Sequence, residues 1–135
     1  MNHTGIVFCH TQRSDLPAIE SLLAGLSLPI VGVADHVDTF WLAKEDNKIV
    51  GCAGLEVYGD VALMRSLAVA QEKRNQGIAG KLVERTVLDA RERSVKQLFL
   101  LTTTALEYFV RLGFSQLPRA SAPEALAESA EFQGA

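Results

Sequence analysis

The sequence predicts an α/β fold of the mixed-sheet kind: a largely antiparallel sheet with a parallel central pair, flanked by helices. Three observations carry this prediction. Three strand-like runs between Val37 and Val69 are separated by two-residue turn signals, Asp46-Asn47 and Gly59-Asp60, which reads as an antiparallel meander. After Ala70 the apolar period changes to that of a strongly amphipathic helix. Gln97 to Thr102 is then almost continuously apolar, which suits a buried strand that a helical crossover sets parallel to its predecessor. At 135 residues, one hydrophobic core accounts for the chain, so residues 1–135 are expected to form a single domain.

Each element has its own local reason. Ile6 to Cys9 is a short apolar run and makes a first strand. Ser14 or Asp15 offers an N-cap for a helix in which Leu16, Ile19, Leu23 and Leu26 recur at helical spacing, with Pro17 tolerated in the first turn. Pro29 and Gly32 end it. Strands follow over Val37 to Lys44, Lys48 to Tyr58 and Val61 to Val69. In the next helix Ala79, Leu82, Val83, Thr86, Val87 and Ala90 share one face. Thr104 and Glu107 stand at capping-box spacing for a helix from about Ala105 to Leu112, which Gly113 stops. Phe114 to Leu117 reads as a last short strand, and Ala122 to Ala130 as a short helix.

Composition excludes several function classes. A formal charge of -3 gives no basis for a broad grip on phosphate, so no nucleic-acid partner is expected. The N-terminus lacks the pattern of a secretory signal and no apolar run reaches membrane-spanning length, so a soluble cytoplasmic protein without a membrane partner is expected. Cys9 and Cys52 are too few and too far apart for a disulfide framework or a cysteine zinc site, and read as small buried hydrophobes. His3, His10 and His36 have no partner at ligand or triad spacing, so they read as surface residues and no metal is expected. Of Phe40 and Trp41, adjacent on a strand, one is expected in the core.

The most informative segment runs from Leu67 to Gly80: a buried strand, a polar loop, and the start of the strong helix. Free amides and the positive end of a helix dipole can hold a phosphate or pyrophosphate there. Gly77, Ala79 and Gly80 leave room for close approach, and Arg74 adds a positive charge. Neither GxxxxGK[ST] nor GxGxxG is present. Taken alone, Gly77 equally well serves helix entry and helix–sheet packing. Arg74-Asn-Gln-Gly77-Ile-Ala79, after a strand ending Leu67-Ala-Val69, resembles the Arg/Gln-x-x-Gly-x-Gly/Ala signature of the GNAT N-acetyltransferase superfamily, and the order of elements resembles its fold. More narrowly, GCAGLEVYGDVALMRSLAV and LFLLTTTALEYFVRLGF resemble the arsenic-resistance-operon branch, and are similar to the amino-acid N-acetyltransferase domain of arginine biosynthesis.

This resemblance implies acetyl-CoA as cosubstrate and no metal. The main chain of Leu67, Ala68 and Val69 would pair with the pantetheine arm like an added strand. The amides of Arg74, Asn75, Gln76, Gly77, Ile78, Ala79 and Gly80 would hold the pyrophosphate. A backbone N–H at Leu67 would polarise the thioester oxygen. In such proteins a tyrosine four residues before the glycine of the G-F pair commonly protonates the leaving thiolate. Here that position is Phe109, with Tyr108 about 100° away around the helix. Tyr108 is the candidate acid, or the thiolate leaves unaided.

If Gly59-Asp60 is a two-residue loop, Tyr58 faces Val61, Glu56 faces Leu63 and Gly54 faces Arg65, which sets Glu56 diagonally beside Arg65. Glu56 is the candidate base and Arg65 the candidate holder of a substrate carboxylate, or the two form a structural ion pair. The implied activity is transfer of acetyl to the primary amine of a small molecule, an amino acid or an amino-acid-like arsenic compound. The alternatives are a catalytically inert CoA-binding sensor or assembly module of the same fold, and a structural domain without ligand. Relatives of the arsenic-resistance type continue past the Ala/Glu-rich helix into a further strand, whereas this sequence stops at Glu131-Phe-Gln-Gly-Ala135. The fold is therefore expected to lack the last strand, with a homodimer covering the open edge or a loosened C-terminal region.

Overall fold

The computed structural model describes residues 5–102 and 105–129. Along the chain lie β1 (Ile6–His10), α1 (Leu16–Gly25), β2 (Trp41–Glu45), β3 (Lys48–Tyr58), β4 (Val61–Val69), α2 (Ile78–Glu92), β5 (Gln97–Leu100) and α3 (Leu106–Arg111). They form one five-stranded sheet in the order β1-β2-β3-β4-β5. The first three pairings are antiparallel and β4-β5 is parallel. No helix among the described residues is long and apolar enough to cross a membrane, and no group of His, Cys, Asp and Glu there could hold a metal ion.

The turns do what their residues allow. Asp46 and Asn47 both have positive φ, 52° and 65°, the conformation that matches the twist of a two-residue hairpin. At Gly59-Asp60 the register is the expected one, with Tyr58 opposite Val61, Glu56 opposite Leu63 and Gly54 opposite Arg65. It then shifts: the next pair is Cys52 with Ala68, so Ser66 and Leu67 together oppose Ala53. Ser66 takes the left-handed conformation, φ 59°, and β4 bulges there.

The two sides of the sheet carry different layers. On one, α1 and a 3-10 turn (Ala34–Thr39) bury Ile19, Leu23, Val37 and Phe40 against Leu42 and Cys52. On the other, α2 and α3 cover Ala43, Ala53, Leu55, Ala62 and Met64 with Ile78, Leu82, Val83 and Phe109. Bare backbone at Gly51 admits α2, since a Cβ there would lie 3.1 Å from Leu82 Cδ1 and from the Ala68 carbonyl oxygen.

Several expectations fail for tertiary reasons. The strand expected over residues 37–44 starts at Trp41. Val33, Val37 and Phe40 are buried together at helical spacing, and the 3-10 turn before Trp41 is pinned by Thr39, whose hydroxyl donates to the His36 and Leu55 carbonyls and accepts from the Leu55 amide at 3.2 Å. Asp15 stands before α1 without capping it; its carboxylate accepts from the Gln12 amide at 2.9 Å. β5 is half-buried rather than sealed on both faces, because it is the edge of the sheet.

Residues 114–117 form no strand. The Phe114 amide donates to the Phe109 carbonyl at 3.0 Å and its ring meets Phe109 edge-on at 5.8 Å, which turns the chain back onto α3. In place of the expected tail helix are two 3-10 turns, Arg119–Ser121 and Glu124–Glu128, the second entered through Pro123. Its Leu126 is fully buried against Val61 and Leu63. His3, Thr103, residues 130–135 and the Thr104 end of the expected capping box lie outside the described residues. At the start of α3, Thr102 Oγ1 accepts from the Ala105 amide at 3.0 Å.

Candidate active site

The parallel ladder fixes where the sheet opens. It runs from Val61–Gln97 to Met64–Leu100 and stops, while β4 continues through the bulge to Val69. Beyond Met64, β4 is paired only with β3 among the described strands, and Leu67, Ala68 and Val69 turn a main-chain edge toward the gap. A strand edge of this kind accepts an extended amide-bearing chain as an added strand.

This edge leads into the polar loop and α2. Asn75 (φ 65°) and Gly77 (φ 81°) bend the chain, and Gly77 is the N-cap, with no side-chain hydrogen bond capping the helix. The first helix-type bond runs from the Lys81 amide to the Gly77 carbonyl, so the amides of Ile78, Ala79 and Gly80 precede the ladder and point out of the helix end. Nothing lies within 4 Å of where a Gly77 Cβ would be, so the approach is open. Arg74 extends back along β4, its Nε donating to the Val69 carbonyl at 3.3 Å. Residues 66–80 line no part of the larger cleft, about 670 Å³, that follows β5 and α3; a smaller groove of about 510 Å³ lies beside Gln76, Gly77, Lys81 and Arg85.

Tyr108 and Phe109 divide between site and core. Phe109 is 7% exposed and packs under α2, while the Tyr108 hydroxyl lies 3.9 Å from where a Gly80 Cβ would be, against the first turn of α2. The neighbour of the expected tyrosine position therefore carries its hydroxyl to the helix start.

On the α1 side of the sheet, Glu56 and Arg65 meet as their register requires. Arg65 Nη1 donates to Glu56 Oε2 at 2.6 Å, and the two side chains are 0% and 1% exposed. The Tyr58 hydroxyl donates to Glu56 Oε1 at 2.6 Å, and Arg65 Nε donates to Ser66 Oγ at 2.9 Å. Burial alone would raise the Glu56 pKa, but hydrogen bonds from Ser129, Tyr58 and Arg65, with the charge of nearby His36, outweigh it and hold the carboxyl below its ordinary range. Arg65 Nη2 is buried and has no hydrogen-bond partner among the described residues. Gly54, opposite Arg65, has no room for a Cβ because the Phe40 ring fills that space.

Two members of this cluster escape sequence reasoning. His36, read as a surface residue, sits with Nε2 3.8 Å from Glu56 Oε1 and its side chain 24% exposed. Ser129 reaches Glu56 from the C-terminal segment. Neither has a spacing signal, because each arrives on a separate element. His10 is exposed and stacks on Trp41 at 3.9 Å, while Arg85 lies 5.6 Å over the same indole. Phe40 is the core member of its aromatic pair. Cys9 is half-buried rather than buried. Cys52 is buried, its thiol donates to the Ser66 carbonyl at 3.2 Å, and burial pushes its pKa up to about 12.

Known proteins resemble this chain in sequence and fold. A family model for the acetyltransferase (GNAT) domain matches residues 36–116. An uncharacterized N-acetyltransferase of Chlorobaculum tepidum is 29% identical over 123 residues, 85% of this chain and 79% of that protein. An amino-acid acetyltransferase of Mycobacterium tuberculosis is 33% identical over 116 residues, 78% of this chain and 66% of its own length. A Mycobacterium tuberculosis protein solved in complex with CoA superposes with a TM-score of 0.78 at 28% identity, covering 95% of this chain and 88% of that one. N-acetylglutamate synthase from Neisseria gonorrhoeae, solved with coenzyme A and L-arginine, shares the fold at a TM-score of 0.80 and 24% identity; this chain covers 31% of its length. With the family model spanning more than half of the sequence, the chain belongs to the GNAT acetyltransferase family.

Proposed function

We propose that the protein transfers acetyl from acetyl-CoA to the primary amine of a small molecule, with an amino acid as the favoured acceptor class. The observation that carries this reading is the free edge of β4 beyond Met64, running through the bulge at Ser66 into the uncapped start of α2. That edge fits the amide-bearing pantetheine arm, and the helix start fits a pyrophosphate. Acetyl-CoA supplies an activated thioester. Leu67, Ala68 and Val69 hold its arm, the amides of Arg74, Asn75, Gln76, Gly77, Ile78, Ala79 and Gly80 hold the pyrophosphate, and the Leu67 N–H steadies the charge that grows on the acetyl oxygen. Tyr108, beside Gly80, is the donor for the departing sulfur.

Support for the acceptor class comes from Arg65 and from the relatives. Arg65 is held by Glu56 and Ser66 and keeps one buried donor, Nη2, for a carboxylate. The Mycobacterium tuberculosis relative at 33% identity is an amino-acid acetyltransferase. Glu56 supplies the negative charge that draws the ammonium group. Amino-acid-like arsenic compounds belong in the acceptor panel because of the sequence likeness to the arsenic-resistance branch.

Free thiol release from acetyl-CoA, followed across a panel of amino acids, simple amines and amino-acid-like arsenic compounds, tests the reading. Release stimulated by at least one amino acid, and weaker with the matching decarboxylated amine, is the expected result. CoA binding by calorimetry with no turnover across the panel favours the second reading, an inert CoA-binding module, which the core placement of Phe109 motivates.

A further inference from the structure

We infer that His36 takes the proton of the acceptor amine and passes it to solvent, with Glu56 as the carboxylate that orients the imidazole. The inference rests on the transferase reading and names the group that completes it. A primary amine reaches an enzyme at neutral pH as an ammonium ion, so a proton must leave before nitrogen can attack. The structure limits which side chain can receive it.

Glu56 is poorly placed for that task on its own. Both of its oxygens already accept hydrogen bonds, Oε1 from Tyr58 and Oε2 from Arg65, with Ser129 a third partner, and the residue is 0% exposed. These bonds hold the carboxyl below its ordinary range, and a proton on it would break the bridge to Arg65. A proton delivered there also has no contact with water by which to leave. Arg65 is a permanent cation. The Cys52 thiol on the same side of the sheet is held protonated and donates to the Ser66 carbonyl.

His36 has what Glu56 lacks. One edge of the ring faces the carboxylate, Nε2 to Oε1 at 3.8 Å, and with 24% of its side chain exposed the residue also reaches solvent. An imidazole is the side chain suited to proton transfer. The ring meets Tyr58 edge-on at 6.2 Å. Its backbone is anchored as well: the His36 carbonyl accepts from Thr39 Oγ1 at 2.8 Å, and Thr39 is bonded to the main chain of Leu55, next to Glu56. Packing does not require a histidine here, because Val33 and Val37 supply the buried contacts of this turn. The charged and titratable groups around it are Glu56 and Tyr58 from β3, Arg65 from β4, and the exposed Asp35 and Asp38 of its own turn, with Asp38 paired to Arg13 at 3.3 Å.

The step balances without any further reactant. The acceptor nitrogen gives one proton to His36 Nδ1, the ring nitrogen other than the one that faces Glu56, and the freed lone pair forms the bond to the acetyl carbon. The carbon–sulfur bond breaks, the second proton ends on the departing sulfur, and the imidazolium at His36 releases its proton to water. The products are the amide, CoA thiol and one proton.

The test compares wild type, H36A and H36Q for CoA binding, turnover with the best acceptor, and the pH dependence of kcat/KM. H36A and H36Q are expected to lose about 100-fold in kcat, to lose the acidic limb of the profile, and to bind CoA within about 2-fold of wild type. Added imidazole is expected to restore part of the H36A rate and none of the H36Q rate. An H36Q enzyme with near wild-type kcat and an unchanged acidic limb overturns the inference, since glutamine preserves polar contact and cannot take the proton. Turnover that survives in both variants overturns His36 alone. Wild-type protein that binds CoA and acetylates no amine overturns the transferase reading, and this inference falls with it.

Discussion

Replacing Glu56 with Gln leaves the shape of the cluster and removes its negative charge. Arg65 and Glu56 are 0% and 1% exposed and meet at 2.6 Å, so the guanidinium loses its counter-ion in a place water does not reach. Nη2 already has no partner among the described residues, so E56Q leaves the cation with little compensation. Removing one member of a buried pair costs about 3–5 kcal/mol, and the retained amide oxygen near Nη1 puts E56Q at the lower end. With about 3–5 °C of melting temperature per kcal/mol for a chain of this size, the drop is about 10 °C.

The assay is thermal unfolding by circular dichroism at pH 7 for wild type, E56Q and the double variant E56Q/R65M. The double variant should recover most of the loss, because replacing both ions leaves no charge uncompensated. The pH series carries a sign. The folded-state pKa of Glu56 is lowered, so its stabilisation is complete above the unfolded value of about 4.3 and drains away as pH falls through the folded one. The gap between wild type and E56Q should therefore close toward strong acid. A melting temperature for E56Q within about 2 °C of wild type, or a double variant no better than the single one, would refute the reasoning.

Other outcomes follow from the same geometry. In G54A the new Cβ would lie 2.2 Å from Phe40 Cε1, with the ring fully buried, so a loss of about 1–3 kcal/mol in denaturant unfolding is expected, partly recovered by adding F40L. G77E forces a side chain to φ +81° and sets a carboxylate at the anion end of α2; calorimetry should show CoA affinity weakened by about 10-fold or more. Y108F should lower kcat by about 100-fold with the amine KM unchanged if its hydroxyl protonates the thiolate, and an unchanged kcat would mean that the sulfur leaves unaided. The β5 edge is unpaired on one side among the described strands, so sedimentation equilibrium is expected to show self-association, and a monomer at all concentrations would count against a dimer built there.

Much of this protein could be read from local sequence, because local signals decide local structure. Asp46-Asn47 and Gly59-Asp60 set the hairpins, largely apolar runs set the strands they join, and together these brought Glu56 beside Arg65 without any knowledge of the rest of the chain. The entry into α2 was equally legible, since Gly77 stands at positive φ at the N-cap of the helix. Residues 37–40 and 114–117 depart from the strand expectation where burial overrode propensity: Val37 and Phe40 pack into the α1 core at helical spacing, and Phe114 folds back onto Phe109. His36 and Ser129 could not be assigned to Glu56 from spacing at all. They arrive on elements distant in sequence, and only the packing of the 3-10 turn and of Leu126 onto the sheet brings them to the carboxylate. The sequence by itself determined the two hairpins, their register near each turn and the glycine entry into α2, because each depends on a few consecutive residues. The tertiary structure decided which polar groups share a buried site, because that depends on which apolar surfaces exclude water together.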